Sequence, residues 1–205
     1  MAMREMKEHN LNLAKRLYLP YTVIDIGWWY QLALPELPSG KLQTKKLALH
    51  KIVGDGKTPL ALIDNRDIGK FVARIISDQK TLNKMVFCYN EVLSFNQIWD
   101  VLEEVSGETI PRAYISKQEL EDTISRAAET LAKSFDSAAQ VDLSMGQYMY
   151  TLGIRGDNTP EHAKYLGYLD AGELYPEFKP TPLASYINGR LSGIIPNVYE
   201  GRTDR

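Results

Sequence analysis

Apolar residues recur along this chain with two different periods, and the change between them organises the reading. Tyr21-Thr-Val-Ile-Asp-Ile26 is rich in β-branched and aromatic types and stops at Gly27, so it reads as a short buried strand. Ahead of it, residues 3–18 have helical spacing, with Met3, Lys7, Asn10, Leu13, Ala14 and Leu17 on the face expected to turn inward. Behind it, Trp28, Trp29 and Tyr30 form an aromatic cluster at the strand's C-terminal end. Neighbours on a strand point to opposite faces, so the two indoles cannot both enter one core.

Punctuation residues divide the next fifty positions. Leu34-Pro-Glu-Leu-Pro-Ser-Gly40 is a turn-rich loop, either a plain connector or a cover over a site. Leu47–Val53 and Pro59–Ile63 are strand-like runs flanking Gly54-Asp-Gly-Lys57, which predicts a hairpin. Asp64, Asn65 and Asp67 offer caps to a helix whose apolar positions are Ile68, Phe71, Val72, Ile75 and Ile76, and capping is the default role for Asp67. Met85–Tyr89 is a further strand.

From residue 90 the pattern becomes mainly helical. Ser94-Phe-Asn-Gln97 and Ser116-Lys-Gln-Glu119 are capping boxes, Thr159-Pro160 and Thr181-Pro182 place a capping threonine before a first-turn proline, and Gly107 and Gly193 are stops. A run near 134–150 carries Phe135, Ala138, Val141, Met145, Tyr148 and Met149. The expected class is therefore α/β, with a Rossmann-like part at 1–90 and a smaller, mainly helical part at 91–205.

Composition narrows the partners. The 205 residues are 44% hydrophobic and 24% charged with net charge -2, an ordinary globular balance with no electrostatic footprint for nucleic acid or an anionic membrane, although a local patch stays open. No apolar run approaches the ~20 residues of a membrane span, and the charged N-terminus does not read as a secretory signal. Cys88 is the only cysteine, which fits a reducing compartment such as the cytoplasm, and its apolar neighbours make it a small buried hydrophobe.

Candidate chemistry is sparse. His9, His50 and His162 lack metal-ligand spacing, so no metal site is expected. Tyr175-Pro-Glu-Phe-Lys179 is the one Tyr-x-x-x-Lys match, broken by its proline, and Gly153-Ile-Arg-Gly156 follows no strand. Lys7 is unusual. On an inward helix face it either extends its amine past the core edge or serves as an acid or base with a lowered pKa. Gly27, Trp28 and Trp29 sit where open α/β sheets bind ligands, and the tryptophans either wall a pocket or fill core.

Five short motifs add a resemblance. Leu19-Pro-Tyr-Thr22 with Gly27, Gly54-Asp-Gly56, Asp67-Ile-Gly69, Arg155-Gly-Asp-Asn158 and Leu174-Tyr-Pro-Glu177 occur in this order. Together the chain resembles the C-terminal two-thirds of NmrA-like and isoflavone-reductase-like proteins, atypical short-chain dehydrogenases with a Rossmann domain and a helical substrate domain. The resemblance implies NADP as cofactor and a small, aromatic substrate. In the reductase branch a lysine thirteen residues before the motif's proline transfers a proton, and that position here is Lys7; the regulatory branch can carry a lysine there too. The arginine pair that often follows is absent, with Asn10, Leu11 and Asn12 in that region. The resemblance also places the backbone of Asp25, Ile26 and Gly27 near the nicotinamide, and Trp28, Trp29 and Tyr30 near the substrate.

One segment of that family is missing from the sequence. A glycine-rich turn facing a helix N-terminus would hold the pyrophosphate, and no such stretch occurs. The expectation is an incomplete Rossmann-type sheet lacking its N-terminal strands, from a fragment or from a chain that has lost strong dinucleotide binding. Such a sheet would expose an apolar edge open to pairing. Two functions are in play: part of an NAD(P)H-dependent reductase, or a cofactor-sensing regulator that binds a protein partner without catalysis. A homo-oligomer is open under either.

Overall fold

The computed structural model describes residues 2–42 and 51–196. Leu47–His50, in the first arm of the expected hairpin, and the side chain of Met3 lie outside the described residues. The chain is α/β, as its pattern predicts. A helix, α1 (Ala2–Arg16), leads into β1 (Thr22–Ile26), and after Gly27 the chain continues as β2 (Trp28–Trp29) and a single helical turn, α2 (Tyr30–Ala33). Next come β3 (Ile52–Val53), β4 (Pro59–Ile63), α3 (Asn65–Ile75), β5 (Lys84–Cys88), β6 (Glu91–Ser94) and α4 (Phe95–Ser106). The remainder is β7 (Tyr114–Ile115), α5 (Lys117–Lys133), α6 (Ser137–Met149), a π-helical turn at Tyr150–Arg155, α7 (Pro160–Tyr165), β8 (Leu169–Asp170), α8 (Ala171–Leu174) and α9 (Leu183–Leu191).

Among the described residues these strands form three small sheets. The first is parallel, in the order β1-β5-β8, with Thr22 opposite Lys84 and Ile26 opposite Cys88. In the second, order β2-β4-β6, β4 runs parallel to β2 and antiparallel to β6. The third joins β3 and β7 in parallel. β4 enters as a wedge: Ile26 pairs directly with Cys88, yet two residues on Leu62 stands between Trp28 and Asn90.

The hairpin expectation is therefore wrong. β3 and β4 do not pair; the Gly54 N–H donates to Ile115 O and the Asn96 N–H to Gly56 O, so the turn is drawn onto β7 and the start of α4. Asp-Gly turn chemistry is present, but better partners lie elsewhere in the fold. The helical pattern of the second half also hides three strands, β6, β7 and β8, which are too brief to show a period.

Most caps fall where the sequence places them. Both capping boxes form, at Ser94 with Gln97 and at Ser116 with Glu119, Thr159 caps α7, and Gly107 and Gly193 adopt left-handed φ. Two caps differ. The N-cap of α3 is Asp64, which accepts the Arg66 N–H, and α9 begins after Pro182 with no side-chain cap. Apolar periodicity overreaches at Ile76 and Phe135, which flank helices, and at Val141 within α6; all three are exposed.

The main core gathers Tyr30, Leu34, Leu37, Ile52, Leu60, Leu62, Phe95, Ile98, Trp99, Leu183 and Ile187. The Leu34–Gly40 loop thus contributes to the interior. A second cluster packs Phe71 and Ile75 of α3 against Val86 and Cys88, with Ile24, Ile26 and Trp29 at its margin. Cys88 is buried as expected, and burial pushes its thiol up to about 12.

Polar groups lock these clusters together. Asp67, fully buried, accepts from Lys70 Nζ at 2.7 Å, Asn90 Nδ2 at 2.8 Å and the Thr181 N–H at 2.8 Å. Glu91 Oε2 accepts from the Leu183 N–H at 2.7 Å and the Tyr30 hydroxyl at 2.8 Å. Burial alone would raise the Asp67 pKa, but the bonds from Lys70, Thr181 and Asn90 outweigh it and hold the carboxyl below its usual range.

Asp67→Ala leaves three donors without their acceptor and is expected to cost about 3 kcal/mol in urea unfolding. Because the folded pKa is depressed, the carboxylate's contribution is complete above the unfolded value of roughly 3.9 and is lost as pH falls through the folded one. The difference between wild type and Asp67→Ala should therefore shrink on acidification below about pH 4.

Candidate functional site

α1 and β1 run antiparallel across one another, fixed at both ends. Lys15 Nζ lies 5.7 Å from the Tyr21 ring, at the start of the strand. Near its end, Arg4 Nη2 donates to the Tyr168 hydroxyl at 3.5 Å, and that hydroxyl donates to Asp25 Oδ2 at 2.6 Å. Burial first, then the Asp25 hydrogen bond and charge, push the Tyr168 phenol up to about 12, against the opposing pull of Arg4. The N-terminal turns of α1 therefore sit over the C-terminal end of a parallel sheet.

Lys7 rides on α1 one turn from Arg4. The expectation that it faces inward is not met. It is exposed, with no hydrogen bond or ion pair among the described residues, while Glu8, Leu11 and Ala14 are the positions partly covered. The period was right and its phase wrong, because no described residue of α1 is fully buried and no core selects a face. Helical side chains lean toward the helix N-terminus, so the Lys7 amine still leans toward the end of β1. A shallow groove of ≈ 460 Å³ runs along Arg4, Glu5, Glu8, His9 and Asn12 on the same helix.

Gly27 is where the chain passes from one sheet to the next. A Cβ there would lie 2.7 Å from Ala61 O and 2.9 Å from Ala61 C, so only glycine lets the backbones approach this closely. Asn158, from the Arg155-Gly-Asp-Asn158 motif, holds Ala61 from another side: Asn158 Nδ2 donates to Ala61 O at 2.8 Å and the Ala61 N–H to Asn158 O.

The aromatic cluster separates by face. Trp28 meets Tyr148 of α6 with ring centroids 5.9 Å apart, and its Nε1 is covered without a partner. Trp29 points to the other cluster, beside Ile63 and Phe71. Tyr30 is fully buried, its hydroxyl held by Glu91 and by Thr181 O at 3.2 Å, with Tyr186 5.7 Å away. Of the expected substrate wall, Trp28 and Trp29 are thus partly accessible and Tyr30 stands behind them as core.

Gly153 is drawn hard against Val53, where a Cβ would meet Val53 Cβ at 2.4 Å, so the π-helical turn packs on β3. No three His, Cys, Asp or Glu side chains among the described residues form a metal site, and no helix among them is long and apolar enough to cross a membrane. Among the described residues no glycine-rich turn joins a strand to a following helix. Sequence reasoning missed Arg4 and Tyr168 and gave Tyr148 only as an apolar helix position, because contacts across as many as 164 positions leave no local signal.

The NmrA-like family profile matches residues 21–187, from the strand β1 to the last helix. The chain belongs to the NmrA-like family. It is 40% identical over 197 residues to an asnovolin J 5',6'-dehydrogenase of Aspergillus novofumigatus, covering 94% of this chain and 60% of that protein. An isoflavone reductase homologue of Nicotiana tabacum is 27% identical, over 83% of this chain and 52% of its own length. The chain thus spans about half to three-fifths of these curated relatives. In fold it is similar to the NADPH complex of leucoanthocyanidin reductase from Vitis vinifera (TM-score 0.73, 19% identity, 93% of this chain and 59% of that one). A crystal structure of isoflavone reductase gives a TM-score of 0.69 at 22% identity, over 90% and 57%.

Tyr168→Phe removes the hydroxyl that joins Arg4 to Asp25. The expected outcome is a loss of about 1 kcal/mol and faster amide hydrogen exchange in residues 4–16, with the β5 amides unchanged. Equal exchange in both proteins would show that α1 is held by other contacts.

Proposed function

We propose that this chain is the C-terminal portion of an NAD(P)H-dependent reductase of small, aromatic substrates. The observation that carries the reading is the Arg4–Tyr168–Asp25 chain, which sets the Lys7 turn of α1 over the C-terminal end of β1, where parallel sheets take ligands. Family membership and relatives named as reductases and a dehydrogenase support it. In this reading Lys7 holds the proton exchanged with a substrate oxygen, and the backbone of Asp25, Ile26 and Gly27 passes the nicotinamide. Trp28 and Trp29 meet the substrate ring, with Tyr30 stiffening them from behind. Residues 1–90 form the cofactor side and 91–205 the substrate side, from which Tyr148 reaches Trp28.

The described residues do not fit a whole dinucleotide, since they offer no phosphate-binding turn after a strand. No hydride step is therefore assigned to this chain by itself. One observation favours the second reading, a regulator that senses the cofactor and binds a protein: Lys7 is exposed, with no hydrogen bond or ion pair among the described residues.

The deciding assay is NADPH consumption with aromatic substrates by a protein joining this chain to a family phosphate-binding segment. Lys7→Ala is expected to lower turnover by about 10²-fold or more, while tryptophan fluorescence still reports substrate binding. Unchanged turnover removes Lys7 from the chemistry. No turnover in the parent, with a protein partner whose affinity differs between NADPH and NADP, replaces the reductase by the regulator.

A further inference from the structure

Among the described residues, three covered polar side-chain atoms have no hydrogen-bond partner: Trp28 Nε1, Asn90 Oδ1 and Trp99 Nε1. Trp99 is fully buried in the main core, and Asn90 stands in the polar layer around Asp67. Trp28 alone of the three lies in the candidate site, half-buried on β2 just past Gly27. An indole N–H can only donate, and covering it without an acceptor destabilises the fold. Packing by itself does not account for such an atom.

The ring that meets Trp28 is held less firmly than its neighbours. Tyr148 is half-buried, its ring plane tilted 50° from the indole. The hydroxyl of Tyr30 is fixed by Glu91 and Thr181 O, and that of Tyr150 donates to Glu121 Oε1 at 3.0 Å. The Tyr148 hydroxyl has no hydrogen bond among the described residues. α6 itself is seated, since a Cβ at Gly146 would lie 2.9 Å from Ile124 Cγ1 of α5. The freedom therefore belongs to the Tyr148 side chain and not to the helix.

We propose that Trp28 Nε1 is a specificity donor: with the Tyr148 ring turned aside, it donates to a carbonyl or ether oxygen of the bound ring compound. Calling that compound the substrate rests on the reductase reading; the acceptor chemistry rests on the covered N–H alone. The substrate class narrows from small aromatic compounds to those that carry an oxygen acceptor at the ring's edge. The donor is already covered from solvent in the free chain, so an acceptor gains the bond without the usual cost of drying the protein side. A hydrocarbon ring of the same shape stacks as well but leaves the donor bare, and the site discriminates against it. The notch is made wholly by β2 and α6.

The test is a titration of the 205-residue chain with acetophenone and with ethylbenzene, which differ by the carbonyl oxygen, followed through the indole N–H resonances. The chain has three tryptophans, and Trp28→Phe identifies the Trp28 signal by its loss. Acetophenone is expected to move the Trp28 indole proton downfield and ethylbenzene is not. Trp99, equally unpartnered but sealed in the core, should stay still under both and is the control. Acetophenone should bind about tenfold tighter than ethylbenzene, and Trp28→Phe, which keeps an aromatic ring, should erase that preference. Tyr148→Ala should speed exchange of the Trp28 indole proton with water and leave that of Trp99 unchanged.

Equal affinities, no binding of either compound, an unmoved Trp28 proton, or a water bonded to Nε1 in the free chain overturns the proposal. If Trp28→Phe does not fold, sequential assignment identifies the signal and the two wild-type titrations still decide. Neither titration needs cofactor or turnover. An unchanged rate in Lys7→Ala would thus leave the donor standing, and equal affinities would leave the reductase reading standing.

Discussion

Two buried or half-buried carboxylates hold the turn at Thr181–Leu183, and much of the rest of the structure depends on that grip. Asp67 takes the Thr181 N–H from one side and Glu91 the Leu183 N–H from the other. Asn90 ties Asp67 to the turn, donating both to Asp67 and to Thr181 O. The bonds reach 114 and 92 positions along the chain, so they fix the start of α9 against α3 and β6, formed much earlier. α9 then places Leu183, Tyr186 and Ile187 in the main core, where Tyr30 meets Tyr186. Without these acceptors α9 would start with bare N–H groups beside apolar surface, since Pro182 supplies no side-chain cap.

The same polar layer explains why Tyr30 ranks with the core. Its hydroxyl sits between Glu91 and Thr181 O, and burial followed by the Glu91 charge raises its pKa far above the ordinary phenol value. A tyrosine so held does not yield its proton near neutrality. It fixes the direction of the chain after Trp29, and through it the positions of both indoles. The aromatic wall is therefore set from behind, by a layer that binds the C-terminal helix.

Legibility in the residues tracks the physical range of each contact. The strand at Tyr21–Ile26, the helices after Ser94 and Ser116, and the burial of Cys88 are written in the residue types of a few neighbouring positions, and the structure agrees with each. The Gly54–Lys57 turn was legible as a turn but not in its partners, because Ile115 and Asn96 compete for its backbone from far along the chain. Asp67 shows the limit. Beside Asp64 and Asn65 it has a cap's sequence context, yet its role comes from Asn90 and Thr181, which no local pattern contains. The phase of α1 was misjudged for a related reason: periodicity identifies a helix, but packing selects the buried face, and α1 has little packing to select with.

β1 carries two demands at once, and alternation along the strand keeps them apart. Its odd-numbered residues serve the interior ladder and the site: Asp25 holds Tyr168, and Gly27 makes the close approach to Ala61. Its even-numbered residues send side chains to the α3 cluster and backbone groups away from β5. A change on that side therefore reaches the site through rotation of the strand about its own axis rather than through a direct contact. The Arg4–Tyr168–Asp25 chain resists that rotation on one face, and the Ile24 and Ile26 contacts with the α3 cluster resist it on the other. With both faces braced, the end of β1 that leads through Gly27 into Trp28 and Trp29 keeps its geometry.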